Sequence, residues 1–213
     1  MPPIGIFGGT FDPIHFGHLR CAWEIAEQLA LREVRMLPAR VPPHRDQPVA
    51  SADQRRRLLE LALAGQTLLR LDTRELERDG PSYMVDTLSS LRGEVNDEPL
   101  CLILGQDAFN GLDTWHRWEA IPGLAHLVVI TRPGSALADS GPVRALVERC
   151  GVESADELRA RPAGAVLFRT VTPLAISASG IRDLLAEGRS PRYLLPDAVL
   201  DCVQREGLYL DFN

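Results

Sequence analysis

Residues 8–18, GGTFDPIHFGH, constrain the fold more than any other stretch of the chain. They follow a short apolar run at residues 4–7 that reads as a buried strand. They lead into Leu19, Ala22, Trp23, Ala26 and Leu29, which recur at helical spacing and predict a helix ending near residue 31. The stretch is therefore a glycine-rich strand-to-helix turn with two histidines where the helix begins. Unused N–H groups and the positive end of the helix dipole both favour an anion at such a place. Gly8 and Gly9 allow a bulky phosphate close to the backbone. His15 and His18 share one side of the first turn, where two imidazoles can bond the same anion.

Two familiar phosphate-binding loops are excluded. Gly5, Gly8 and Gly9 do not make the G-x-G-x-x-G of dinucleotide-binding folds. The P-loop requires a lysine, and all 23 basic residues of this chain are arginine. The same absence excludes Schiff-base chemistry. An HxxH metal pair is a second reading of the histidines. Zinc usually takes a third and fourth ligand, however, and no cysteine or carboxylate stands at the usual spacing beside this pair.

The 213 residues suit one domain, 1–213, with a real core. A net charge of −6 argues against a nucleic-acid surface but leaves room for a small anionic ligand. No apolar run is long enough to span a membrane and the first residues do not read as a signal peptide, so no membrane partner is expected. Cys21, Cys101, Cys150 and Cys202 are scattered without a C-x-x-C pair, which is a reduced, cytoplasmic pattern. Cys21 and Cys101 read as core thiols. The oligomeric state is left open, and a homo-oligomer is compatible with the sequence.

Further along, residues 33–37 read as a second strand. Prolines keep residues 38–46 irregular, and His44 and Arg45 there suit either a solvated loop or a ligand contact. Ser51 and Gln54 form a capping box for a helix through residue 63, with Leu58, Leu61 and Ala62 inward and the arginines at 55–57 mostly solvated. Residues 68–71 read as a third strand. Ser82 reads as the cap of the next helix, with Val85, Leu88 and Leu91 inward. The unbroken apolar run at residues 100–104 suits a central parallel strand, and it ends in Gly105-Gln106-Asp107. Ligands of open α/β sheets sit at strand carboxyl ends, so Gly105 and Asp107 are candidates for adenosine contact. Asp107 as an N-cap for residues 108–112 is the alternative.

Trp115 lies among polar residues and suits stacking on an aromatic ligand, whereas Trp118 suits the core. A strand at residues 127–131 ends in Arg132, pointing to the same ligand edge. A helix over 143–149 and a last strand at 166–169 follow. Ser177 then caps a helix reaching residue 187, with Gly188 as its stop. Ser177, Ser179 and Arg182 make this a second phosphate clamp: N–H and hydroxyl donors in front, guanidinium behind. A final helix at 196–206 reads as packing. Strands and helices alternate throughout, which predicts a doubly wound, Rossmann-like α/β fold: an open parallel sheet with helices on both faces.

The first and last motifs, GGTFDPIHFGH and ISASGIR, resemble those of nucleotidyltransferases related to class I aminoacyl-tRNA synthetases. With PARVPPHR, PSYMVDTL, LGQDAF, TWHRWEAI and HLVVITRPG between them, the whole chain resembles the bacterial nicotinate mononucleotide adenylyltransferases. The resemblance implies adenylyl transfer from ATP to nicotinate mononucleotide by direct in-line attack, with magnesium held by phosphates rather than by a protein cage. It places ATP on Gly8, Gly9, Thr10, His15, His18, Gly105, Asp107, Ser177, Ser179 and Arg182, with His15, His18 and Arg182 catalytic. It places nicotinate mononucleotide on His44, Arg45, Met84, Trp115, His116 and Arg132. Met84 and His116 replace residues more common in that family, but their roles are backbone ones and survive the change. Against the adenylyltransferase stand a nucleotide-binding regulatory module that no longer catalyses and an HxxH metalloenzyme built on His15 and His18.

Overall fold

The computed structural model describes residues 1–42, 47–131 and 136–210. Its strands are β1 (Ile4–Gly9), β2 (Glu33–Pro38), β3 (Leu69–Leu71), β4 (Leu100–Gly105), β5 (His126–Thr131), β6 (Gly151–Val152) and β7 (Val166–Thr170). The helices are α1 (Phe16–Leu29), α2 (Ala52–Ala62), α3 (Arg74–Glu77), α4 (Met84–Val95), α5 (Gln106–Asn110), α6 (Ile121–Leu124), α7 (Pro142–Cys150), α8 (Asp156–Arg159), α9 (Ala178–Ala186) and α10 (Asp197–Arg205). The strands form one parallel sheet in the order β3-β2-β1-β4-β5-β7-β6.

Alternation along the strands explains why helices cover both faces. Leu100, Leu102 and Leu104 of β4 join one buried cluster with Val85, Leu88 and Leu91 of α4 and Val143 and Leu146 of α7. Cys101 and Ile103 join a second cluster with Ile25 and Leu29 of α1, Leu58 of α2 and Ile181 of α9. A strand buried on both sides must be apolar at every position, which is how residues 100–104 read. In β1, Ile4 and Ile6 serve the first cluster. A Cβ at Gly5 would come within 2.9–3.0 Å of Leu31, Ile103 and Val34, so only glycine lets those side chains close over the strand.

The order of strands reverses between β1 and β4, the switch point where open sheets of this kind bind ligands. Gly9 and Gly105 are the last residues of these two strands.

Several local expectations are corrected. β1 continues through Gly8 and Gly9, which pair with Leu37 and Pro38 of β2, so the glycines end the strand rather than form the turn. Tyr83, not Ser82, is the N-cap of α4; the Ser82 hydroxyl instead accepts the N–H of Arg40 at 3.0 Å. Gly105 is the N-cap of α5, and Asp107 lies inside its first turn. β6 is two residues long and too short for any apolar pattern. Arg55 is buried, and Trp118 is half-buried beside the α4 cluster, as Trp115 is. Cys101 is buried, and burial pushes its thiol up to about 12, while Cys21 is half-buried. Among the described residues no helix is long and apolar enough to cross a membrane.

Candidate active site

The glycines of the first motif make room for its rings. Phe11 takes a left-handed backbone, φ 50°, and is buried. Its ring meets the His18 ring edge-on at 5.1 Å and the Phe7 ring at 6.2 Å. A Cβ at Gly9 would stand 2.9 Å from the Phe11 ring, and one at Gly17 would stand 2.9 Å from the His15 ring. His15, buried at the N-cap of α1, stacks on His18 with centroids 3.7 Å apart and planes at 26°. The pair thus forms one two-ring surface at the carboxyl end of β1.

The helix-start reading needs one adjustment. The N–H of Phe16 donates to the Leu194 carbonyl and that of His18 to the His15 carbonyl, both at 3.0 Å. These two N–H groups are committed within the protein, so an anion at this helix start would depend more on the imidazoles than on a row of backbone donors.

The second helix start stands beside the first. Ser177 caps α9, accepting the Gly180 N–H at 3.1 Å and lying 3.2 Å from the Ser179 hydroxyl. Arg182, one turn in, donates from Nη1 to the backbone carbonyl of Asp12 at 2.7 Å. A Cβ at Gly17 would stand 3.5 Å from the Ile176 carbonyl, so the segment before α9 passes directly against the start of α1. His15, His18, Ser177, Ser179 and Arg182 are therefore gathered at one place from the two ends of the chain.

Asp12 is the junction of this arrangement. Its buried carboxylate accepts the N–H groups of Val49 and Ala50 at 2.7 and 3.1 Å and the Tyr209 hydroxyl at 2.8 Å. Arg55 lies close by, only 1 % exposed. It donates to the carbonyls of Thr10, Ala39 and Ala50 at 2.9, 2.6 and 3.2 Å, holding the ends of the β1 and β2 loops against α2. Burial pushes the Arg55 guanidinium below its ordinary range, and the Asp12 charge opposes that shift. Burial and the Asp12 charge push the Tyr209 phenol up, so it remains a proton donor at working pH.

A second group of residues faces the same strand end. Met84 is the first residue of α4, and its methyl would stand 2.9 Å from a Cβ at Gly8. The Tyr83 ring stacks on the ring of His116 at 4.3 Å and 29°. Trp115 is half-buried against the α4 cluster, and His116 is exposed. Buried Glu75 accepts the Thr87 hydroxyl at 2.6 Å, and Arg78 donates to that hydroxyl and to the Tyr83 carbonyl at 3.0 and 3.5 Å. Burial pushes the Glu75 carboxyl up. These bonds fix the first turn of α4. Gly105 and Asp107 are exposed at the end of β4 and the start of α5. His44, Arg45 and Arg132 lie outside the described residues.

Among the described residues no group of three or more His, Cys, Asp or Glu could hold a metal. The carboxylate nearest the histidines in sequence, Asp12, is already engaged by three donors.

Sequence reasoning missed Arg55, Tyr83 and Tyr209, as well as Glu75, Arg78 and Thr87, and gave Asp12 no role. The signal for Arg55 was present: it stands three and four residues before Leu58 and Leu59, on the inward stripe of α2. Tyr83 and Tyr209 carry no local signal, because their partners are distant in the sequence.

The profile of the cytidylyltransferase-like family matches residues 6–184. The chain is 55% identical over 207 residues to a protein of Methylococcus capsulatus named "probable nicotinate-nucleotide adenylyltransferase", covering 97% of this chain and 99% of the relative. It is 51% identical over 209 residues to a protein of the same name from Pseudomonas paraeruginosa, covering 97% and 96%. In fold it is similar to the Plasmodium falciparum nicotinic acid mononucleotide adenylyltransferase complexed with NaAD, with a TM-score of 0.73 over 100% of this chain and 99% of that one, at 16% identity. The chain belongs to the cytidylyltransferase-like family and, within it, to the nicotinate-nucleotide adenylyltransferases.

Proposed function

We propose that this protein transfers the adenylyl group of ATP to nicotinate mononucleotide, forming deamido-NAD and pyrophosphate in NAD biosynthesis. The observation that carries this reading is the bond from Arg182 to the Asp12 carbonyl, which brings two phosphate-type helix starts into one site. A chain of three phosphates needs two such anchors, and a single phosphate does not.

An oxygen of the mononucleotide phosphate attacks the α-phosphorus of ATP. The bond from that phosphorus to the bridging oxygen breaks, and pyrophosphate leaves with the electron pair. No protein nucleophile takes part. His18 contacts the α-phosphate and stabilises its developing charge, with His15 stacked behind it. Ser177, Ser179 and Arg182 hold the β- and γ-phosphates that leave, and Gly8, Gly9 and Thr10 border the phosphate path. Gly105 and Asp107, at the end of β4, take the adenosine. ATP enters as its magnesium complex, with the ion on phosphate oxygens. Rate enhancement then comes from placement and fixed charge, as is usual for phosphate-centred transfer.

The pyridine ring stacks on Trp115. Its carboxylate meets the N–H groups of Met84 and His116, His44 and Arg45 serve the mononucleotide phosphate, and Arg132 belongs to the same mononucleotide site. Met84 is the first residue of a 12-residue helix, where an N–H has no partner within the helix and negative charge is favoured. That supports a carboxylate over a neutral amide. Pyrophosphate release tests the reading with nicotinate mononucleotide, nicotinamide mononucleotide and phosphopantetheine as acceptors. Rapid release with the first alone is expected. Release with phosphopantetheine but not with the mononucleotides would overturn it.

A further inference from the structure

We propose that Tyr209, in the segment following α10, is a positioning residue for the phosphate site, acting on Arg182 through Asp12. The inference rests on the function proposed above.

Tyr209 is 4 % exposed and has a left-handed backbone, φ 65°. A buried phenol needs a partner for its hydroxyl, and the hydroxyl donates to Asp12 Oδ1 at 2.8 Å. The other two donors to that carboxylate, the N–H groups of Val49 and Ala50, are adjacent in the chain. Two adjacent donors leave a carboxylate free to swing about the line through them, whereas a third from a distant segment removes that freedom. The backbone of the same residue then presents its carbonyl to Arg182 Nη1 at 2.7 Å. The bond from Tyr209 to Asp12 links it to the guanidinium that holds the leaving phosphates.

The segment has a second anchor. Leu208 donates its N–H to the Val203 carbonyl at 3.0 Å, and Leu208 and Tyr209 both pack into the cluster beneath α1, α2 and α9. Replacing the tyrosine by phenylalanine removes one oxygen and leaves that packing in place, so the fold is retained. What is lost is a hydrogen bond to a charged group that orients a loop.

The test is a double-mutant cycle. Tyr209→Phe is expected to lower kcat about tenfold, within the range for a misplaced contact at a reacting centre. The KM for nicotinate mononucleotide should stay within about twofold, because the acceptor site is built on other elements. In an Arg182→Ala background the same change should cost less than about twofold, since the residue through which it acts is gone. A purely structural role moves thermal stability and lowers activity by the same factor in both backgrounds. Equal losses in both, or an unchanged kcat in the single variant, would overturn the proposal. Failure of the underlying function is distinguishable, because the wild-type protein would then release no pyrophosphate. The cycle would in that case be read from the affinity for a non-hydrolysable ATP analogue, with the same non-additivity expected and simple additivity contradicting it.

Discussion

Arg182 reaches across 170 residues of sequence to donate its Nη1 proton to the carbonyl of Asp12 at 2.7 Å. That contact locks the start of α9 to the loop that delivers His15 and His18. It brings two helix starts, each suited to an anion, together at the switch point of the sheet.

His18 stands nearest the chemistry in this account. His18→Ala should lower kcat by about 100- to 1,000-fold, the range for removing one fixed charge-stabilising donor. The far-UV spectrum and thermal midpoint should stay near wild type. Turnover within a few-fold of wild type in the folded variant would remove His18 from its role.

Gly17 tests whether the glycine serves the histidine or the helix. Gly17→Ala should slightly favour the helix on propensity grounds. Its Cβ would stand 2.9 Å from the His15 ring, however, and displace the stacked pair. Turnover should fall about 10- to 100-fold, as for an ångström-scale misplacement, without loss of thermal stability. Full activity would show that the His15–His18 stack is dispensable.

Trp115→Ala should act on binding rather than chemistry. Stacking of a base on an aromatic side chain is worth about 1–3 kcal/mol, so the KM for nicotinate mononucleotide should rise about 5- to 150-fold. The KM for ATP should hold. Steady-state kinetics in both substrates decide the matter, and an unchanged mononucleotide KM contradicts the stacking.

His126 gives a pH dependence of stability away from the site. It is fully buried, accepts the Ala165 N–H at Nδ1 (3.0 Å) and lies 2.9 Å from the Arg161 carbonyl at Nε2, which therefore carries the proton. Burial pushes its pKa below the ordinary 6.5. As pH falls past that ordinary value, the unfolded chain takes a proton at this residue while the folded one does not. The stabilisation is therefore complete above 6.5 and is lost as pH falls toward the lower, folded value. Between about pH 7.5 and 5.5, which spans the ordinary histidine range, the thermal midpoint of wild type should fall more steeply than that of His126→Gln. Parallel slopes would contradict this.

Much of the site was legible because its parts announce themselves locally. Ser177 caps α9 and Ser51 caps α2 as their spacing predicts, and the apolar run of β4 reads as a strand covered on both faces. What was not legible depends on distance or on charge in an apolar place. The partners Asp12 and Tyr209 are 197 residues apart, so no window of sequence contains both. Arg55 lies on the inward stripe of α2, but a charged residue that opens a run of three arginines reads as solvated until its backbone acceptors are seen. Ser82 looks like a cap because serine usually is one; here its hydroxyl is taken by Arg40 from the neighbouring loop.

The most direct measurement is the stereochemical course at the α-phosphorus. ATP made chiral at that centre by sulfur substitution would be turned over with nicotinate mononucleotide and the configuration of the product determined. Direct attack within a site that holds both substrates predicts inversion. Retention would require an adenylylated protein intermediate and contradict the account.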